Sequence, residues 1–365
     1  ILGVMLWLII SGGIKRIAKI ASKLVPFMAV IYFGGALVVV IENYQNIIPS
    51  FHSIFSQVFS GSAAAGGFLG ASFAMSLKLG VARGLYSNEA GQGSSPIAHA
   101  SAKTKHSVEQ GMVSILEPFI DTIVVCSVTA LVILSSGAWT QKYVNTFERS
   151  SMAIFAGDYT ESNSSDVEEL GKYILDARKF TSNTTTVKNF SGNLNVINGE
   201  LQQDGITIFH NNSIAEDVTF YKDGEYFDGS LEVSDGDIKD SSIKVEGKSL
   251  IHSAELTSKA FASGVLGKIG EYIVAIGLLL FAFSTAIAWS YYGDRSTAYI
   301  FGENAVPWYR MIYVVSFIAA AVIDTTIVWN IAYVVVALVT IPNLFALFIL
   351  RKEMKEQVTN YVIEK

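Results

Sequence analysis

The chain has 365 residues, 51% hydrophobic and 16% charged, with a formal net charge of −6. Its apolar residues are bunched into long runs, whereas a soluble α/β protein keeps buried strands to about 4–8 apolar residues. That class is therefore set aside in favour of a polytopic membrane protein. The single cysteine, Cys126, lies in an apolar run and forms no intrachain disulfide.

Residue 1 is Ile, and it opens into "ILGVMLWLII" without a basic leader or a small-residue cleavage site, the pattern of an internal start. The spans expected in chain order are Ile1 to Ser11, Val25 to Ile41, an interrupted one from Ala71 to Ala102, Gly111 to Leu134, Ile269 to Tyr292, Tyr309 to Ile323 and Ile327 to Leu350. About 20 residues are needed to cross about 30 Å of hydrocarbon, so several are of spanning length. Between the second and third spans, "IIPSFHSIFSQVF" at Ile47 to Phe59 has apolar residues at helical spacing and is expected to lie along the interface.

Charge sets the orientation. Residues 141–260 hold 20 acids against 11 bases, a balance of −9 that leaves +3 for the rest of the chain. The short connections carry Lys15, Arg16, Lys19 and Lys23, then Lys103 and Lys105, then Arg295, then Arg351, Lys352 and Lys355. If the spans alternate, all of these fall on one side, which the positive-inside rule makes the cytoplasm. The acidic block, residues 138–263, is then expected outside. Its second half alternates β-branched or aromatic residues with polar ones between Asp-Gly turns, which predicts a small antiparallel unit. Its first half is Ser/Thr/Asn-rich and reads as a loop. Asn163, Asn183, Asn189 and Asn211 head Asn-x-Ser/Thr triplets, which arise readily in such sequence and carry little weight as glycosylation signals.

The interrupted span holds "GLYSNEAGQGSSPIAHA", Gly84 to Ala100. Gly91 and Gly93 disfavour helix by about 1 kcal/mol each relative to Ala, and Pro96 removes an amide donor. The helix is expected to break over Ser87 to Gly93 and to restart with Ser94 or Ser95 as N-cap. Unwound backbone at membrane depth is tolerated where protein buries it or it lines a cavity. The break is thus a site candidate, suited to a carboxylate at the new N-terminus and to a cation at freed carbonyls. A Gly/Pro kink packed on neighbouring helices is the plainer account. Asn88 and Glu89 favour the site, because polar side chains inside a membrane usually face a cavity or a partner.

Two further constellations stand out. In "LLLFAFSTAIAWSYYGDR", the Ser284 and Thr285 hydroxyls with the Phe281 carbonyl make a partial hard-oxygen cage for a monovalent cation, although such hydroxyls also bond back to carbonyls purely structurally. Trp289, one turn on, is either a pocket wall or an interfacial anchor. In "SILEPFIDTIVVC", Glu117 and Asp121 share a helix face, which suits proton or cation coupling or a tether to another helix. Arg83 and Lys78 flank the break as gating or snorkelling residues.

The stretches "RGLYSNEAGQGSSPIAHASA", "EQGMVSILEPFIDTIVVC", "IVAIGLLLFAFSTAIAWSYYGDR" and "IPNLFALFIL" resemble the alanine or glycine:cation symporter family, also called sodium:alanine symporters. The resemblance implies a LeuT-type fold, an all-α polytopic membrane protein of two inverted five-helix repeats, here partial with about seven spans; the small β-rich extracytoplasmic insertion departs from it, being longer than the short connection usual for the family. The resemblance divides the chain into a membrane part over 1–137 with core helices four to seven, the insertion over 138–263, core helices eight to ten over 264–350 and a cytoplasmic tail over 351–365. It implies uptake of alanine, glycine or a similar small amino acid coupled to Na⁺, with H⁺ as the other candidate ion, in a prokaryotic plasma membrane. Ser87, Asn88, Gly91 and Trp289 then face the amino acid, Phe281, Ser284 and Thr285 bind sodium, and Arg83, Glu117 and Asp121 couple or gate. The first broken core helix is not in this sequence, so this polypeptide alone is expected not to transport.

The expected partners are the amino acid and membrane lipid, with no nucleic acid. A rival enzyme reading would pair Glu117 with Asp121 as acid and base. The histidines do not serve it, since His99 and His106 are expected at the cytoplasmic end and His52, His210 and His252 outside. A second rival makes the β-rich insertion a surface sensor or adhesin anchored by the helices.

Overall fold

The computed structural model describes residues 1–59, 64–65, 68–69, 73–177, 186–323 and 325–364. Ala71, where the interrupted span is expected to begin, and Asn183 lie outside the described residues. The chain divides into two compact units. One comprises Ile1–Gly34, Ala82–Val128 and Ile273–Lys365, and the other Gly35–Val81 and Thr129–Tyr272.

The helices in chain order are α1 (Leu2–Ile10), α2 (Gly13–Glu42), α3 (Ile47–Phe59), α4 (Phe73–Ser87), α5 (Ser94–His99), α6 (Ser107–Ser114) and α7 (Leu116–Pro118). A π-helical segment, Phe119–Val125, leads into α8 (Cys126–Ser136). Then come α9 (Ser164–Ala177), α10 (Ser253–Ala262), α11 (Lys268–Phe301), α12 (Val306–Ala320) and α13 (Thr325–Glu364). Among the described residues, four helical stretches are long and apolar enough to cross a membrane: Gly13–Glu42, Ser107–Ser136, Lys268–Phe301 and Ile327–Ile363. The other expected spans are shorter. α12 has 15 residues, about 22 Å at 1.5 Å per residue.

The first unit is helical. Leu6, Ile9 and Ile10 of α1 and Ile17 of α2 pack on Phe283, Ile287 and Tyr291 of α11 and Val314 of α12. Close approach fixes the contacts: a Cβ on Gly3 would sit 2.7 Å from Ile318, and one on Gly293 would overlap the Tyr309 ring. Asp294, 1% exposed, is held by Arg310 through Nε and Nη2 at 2.6–3.1 Å. Such a pair is costly to break because it strands a buried charge. The chain end returns to this unit, where Tyr361 on α13 donates to Glu109 on α6 at 3.4 Å.

Among the described residues the second unit holds all the strands. These are β1 (Ala64–Ala65), β2 (Phe68–Leu69), β3 (Tyr143–Thr146), β4 (Met152–Ala156), β5 (Gly192–Ile197), β6 (Glu200–Leu201), β7 (Ile206–His210) and β8 (Ser213–Ile214). There follow β9 (Glu216–Lys222), β10 (Glu225–Tyr226), β11 (Gly229–Ser234), β12 (Asp237–Ile238) and β13 (Ile243–Ser249). Beyond the β1–β2 pair they form antiparallel sheets in the orders β10-β9-β13-β3, β12-β11-β5-β6 and β4-β7-β8. Alternate residues fill one core that includes Ile154, Leu194, Val196, Phe220, Leu231, Val233 and Val245. The expected antiparallel unit is there.

The first half of the acidic block corrects the loop reading, because it forms β3, β4 and α9. Asn163 accepts the Ser165 amide at 3.0 Å at the start of α9. Leu170 and Ile174, one turn apart, bury against Phe155, Val187 and Phe209, so a few well-placed apolar residues outweigh the polar composition. Asn189, another triplet asparagine, donates its amide to Asp235 at 2.9 Å.

The unit is internally duplicated. "GNLNVINGEL" at 192–201 and "GSLEVSDGDI" at 229–238 form matching hairpins. Their strands β5 and β11 pair about Leu194↔Leu231, with Val196↔Gly229 and Gly192↔Val233 on either side, which is a local two-fold. The turns match as well: Asn198-Gly199 and Asp235-Gly236 both lie in the left-handed region, as a two-residue type I′ hairpin requires. The Gly199 amide donates to the Phe227 carbonyl at 2.9 Å and the Gly236 amide to the Phe190 carbonyl at 2.8 Å.

His210, 1% exposed, stacks on Phe147 at 4.2 Å. Its Nδ1 lies 2.8 Å from the Ser249 hydroxyl, and Nε2 accepts the Glu148 amide at 3.3 Å. Burial, with a smaller contribution from His252, lowers its pKa to about 4 from the model-compound value of 6.5. Between those values the unfolded chain binds a proton that the folded one refuses, so stability is lost as pH falls from about 6.5 to about 4. The loss should be on the order of 3 kcal/mol. Urea unfolding followed by near-ultraviolet dichroism at pH 7 and pH 4.5 should show it, and a His210→Gln variant should show a flatter dependence.

Candidate functional site

α4 ends at Ser87 because the next residues abandon helical geometry. Glu89 has φ 49°, Gly91 φ 78° and Gly93 φ 80°, all left-handed. Glycine takes that conformation freely, whereas at Glu89 it is uncommon and must be held by its surroundings. α5 then starts with Gly93 as its N-cap and no side-chain cap. This corrects the expectation that Ser94 or Ser95 caps it. Ser94 instead turns its hydroxyl to the Glu89 carboxylate, because the left-handed Glu89 swings its own side chain to that end of the helix.

Three serines of the broken segment each donate to a different carboxylate. Ser94 bonds Glu89, Ser87 bonds Asp121, and Ser95 bonds Glu117 at 3.3 Å. Each carboxylate is thereby offered a hydroxyl donor. Glu89 also accepts the Trp289 indole N–H at 2.7 Å, a charge-assisted bond that ties α11 to the break. Glu117 lies 3.2 Å from His99 Nε2. With the Gln110 amide donating to His99 Nδ1 at 2.7 Å, the ring proton sits on Nε2 and is donated to Glu117.

Asn88 donates to the Gly84 carbonyl at 2.8 Å and exchanges hydrogen bonds of 2.7 and 2.9 Å with Thr122. Thr122 lies in the π-helical segment. Pro118 immediately precedes that segment and lacks the amide that would continue the ladder, and such π segments are frequent at functional sites. Two irregular stretches thus meet through Ser87–Asp121 and Asn88–Thr122. α13 contributes as well: Asn343 donates to the Gly91 carbonyl at 2.9 Å. A Cβ at Gly93 would stand 3.0 Å from Asn343 Oδ1.

On α11 the Ser284 and Thr285 hydroxyls both donate to the Phe281 carbonyl, at 2.9 and 3.0 Å. The three oxygens are gathered, and the back-bonding that sequence left open is also present. Thr285 stands one turn before Trp289, so this oxygen group lies one turn along α11 from the residue that reaches the break. Arg83 is exposed on α4, one turn before Ser87, and no hydrogen bond joins it to the carboxylates among the described residues.

The structure therefore joins Ser87, Asn88, Gly91, Trp289, Glu117 and Asp121 around one break. Sequence reasoning did not assign the central position of Glu89, nor Thr122, His99 and Asn343. Asn343 could have been found from a polar amide following Pro342 inside an apolar run.

Replacing Thr122 with Val should leave Asn88 Oδ1 without its donor, the bond to the Gly84 carbonyl remaining, and cost about 1–3 kcal/mol. Thermal unfolding of the purified protein in detergent should show a lowered midpoint for Thr122→Val and a near-normal one for Thr122→Ser.

The sequence model of the sodium:alanine symporter family matches residues 1–164 and 240–365. A Haemophilus influenzae protein described as an uncharacterized transporter is 30% identical over 354 residues, 97% of this chain and 54% of that protein. The sodium/alanine symporter AgcS of Methanococcus maripaludis is 30% identical over 342 residues, 94% of this chain and 51% of AgcS. The probable sodium/glutamine symporter GlnT of Bacillus subtilis is 44% identical over 131 residues, 36% of this chain and 27% of GlnT. The chain spans about half the length of the first two of these relatives.

Proposed function

The chain belongs to the sodium:alanine symporter family, and on that premise we propose that the protein containing it is a secondary-active symporter that carries a small neutral amino acid, alanine or glycine, with Na⁺ by alternating access. The names of the relatives support sodium coupling and an amino-acid cargo. H⁺ is the alternative coupling ion, because Glu117 and Asp121 stand at the break and can bind a proton.

The observation that carries the proposal is the opening of the helical ladder between Ser87 and Ser94, with polar side chains from three other helical segments converging on it. The architecture in this reading is LeuT-type, with the break in the sixth core helix, the π-helical segment in the seventh and α11 as the eighth. Ser87, Asn88 and Gly91 contact the amino acid and Trp289 closes over it. The Phe281, Ser284 and Thr285 oxygens supply part of the sodium site. Glu117 and Asp121 couple ion binding to movement of α5, while Arg83 guards the outer mouth. The membrane is the prokaryotic plasma membrane, with residues 138–263 outside and 351–365 inside.

In proteoliposomes holding the whole protein, alanine uptake should require an inward Na⁺ gradient. Thr285→Ala should raise the Na⁺ concentration for half-maximal uptake at least tenfold, the loss of one oxygen ligand being worth about 1.4 kcal/mol or more. Asn88→Ala should lower uptake at every Na⁺ concentration. Uptake indifferent to the gradient and to both substitutions would remove the proposal.

A further inference from the structure

On α2, outside the site already described, Lys19, Ile20, Lys23, Leu24 and Phe27 line an open groove of about 360 Å³. The two lysines stand at i and i+4, one above the other on the helix surface. Lys15 is one turn earlier in the same row, and Arg16 lies beside it. Below the lysines the groove is apolar: Ile20 and Leu24 are half-buried and Phe27 is 58% exposed. No Asp or Glu occurs in the chain before Glu42, so this end of α2 carries basic charge alone.

The depth of the groove follows from helix geometry. α2 runs to Glu42, and the stretch between Lys23 and Glu42 has no charged residue. At 1.5 Å per residue it is about 28 Å long, close to the thickness of the hydrocarbon layer. With that stretch in the hydrocarbon, Lys23 and Lys19 stand at headgroup level, and Leu24 and Phe27 begin the acyl layer.

We propose that this groove binds an anionic phospholipid, with the headgroup phosphate between Lys19 and Lys23 and the start of an acyl chain along Leu24 and Phe27. The inference rests on the membrane placement of α2 and not on the transported substrate. Clustered basic residues beside a span attract anionic lipid, and lysine stems can cover apolar surface while the ammonium reaches the phosphate. The apolar floor separates this ligand from a free phosphate, and the paired positive charge separates it from a zwitterionic lipid.

The test uses the whole protein, stripped of lipid in a non-ionic detergent, with short-chain phosphatidylglycerol, short-chain phosphatidylcholine and glycerol phosphate as probes. Titration read by native mass spectrometry should give saturable phosphatidylglycerol binding. That binding should weaken roughly tenfold or more in a Lys19→Gln/Lys23→Gln variant and recover in Lys19→Arg/Lys23→Arg, which also shows that the fold survives. A Lys352→Gln/Lys355→Gln control should bind normally. Equal affinity for phosphatidylcholine, equal affinity for glycerol phosphate, an unchanged Lys19→Gln/Lys23→Gln variant, or no binding because other protein segments occupy the groove would each overturn the proposal. None of these outcomes depends on amino-acid uptake, so failure here and failure of the symport reading are distinguishable.

Discussion

Where a chain leaves helical geometry its backbone amides and carbonyls must find new partners, and the segment from Asn88 to Gly93 is where this chain has to meet that demand without a helix. Part of the need is met locally, with the Ala90 amide reaching the Leu85 carbonyl at 3.0 Å and the Gln92 amide reaching the Glu89 carbonyl at 3.0 Å. Asn343 serves the Gly91 carbonyl from a distant helix. The left-handed Glu89 makes this possible, and its carboxylate is held on both sides by Ser94 and Trp289. An unpaired polar group buried there costs about 1–3 kcal/mol, and the set is not fully connected, since Gln92 Oε1 is buried in this segment without a hydrogen-bond partner among the described residues.

The second irregular stretch follows from one residue. Pro118 cannot donate to the turn before it, and the chain continues as a π-helix over Phe119–Val125. A helix wound in this way carries its side chains to different angles than an α-helix would. In this structure Asp121 and Thr122 then meet Ser87 and Asn88. Glu117, placed before the proline, meets Ser95 and His99 instead. The two carboxylates share a face by sequence spacing, yet they serve opposite ends of the break, one beside the end of α4 and the other beside α5.

What sequence revealed and what it hid divide along physical lines. Glycine and proline act on the backbone locally, so Gly91, Gly93 and Pro96 announced the break. The hydroxyl pair on α11 was legible for the same reason, since its bonds to Phe281 are intrahelical. Glu89 was noted as a polar residue of the break, but its left-handed conformation and its bonds to Ser94 and Trp289 were hidden because they are consequences of packing, and Gly93 displaced the serines as cap for the same cause. The π segment was hidden because Pro118 reads equally well as a simple kink. Asn343 lies about 250 residues from the carbonyl it serves, a separation no local pattern spans. In the second unit, α9 was masked by its Ser/Asp/Glu composition, since its buried face amounts to little more than Leu170 and Ile174.

The β-rich block is closed by its own outer strands. β3 near its start pairs with β13 near its end, with Tyr143 opposite Ser249, so the chain leaves and returns at neighbouring points about 5 Å apart. A connection whose ends are already adjacent makes little demand on the elements it joins. The family match stops at residue 164 and resumes at 240, which leaves the closing pair β3–β13 inside the shared pattern and the strands from β5 to β12 beyond it. Those strands contain both hairpins of the duplicated unit, related about the Leu194↔Leu231 pair. The two hairpins lie side by side in one sheet, and their Leu194, Val196, Leu231 and Val233 share a core with Ile154 of β4, Phe220 of β9 and Val245 of β13, so the block supplies its own core. Its sequence is then constrained by that internal packing and by the β3–β13 closure, while the broken helix is constrained by the polar partners it must keep.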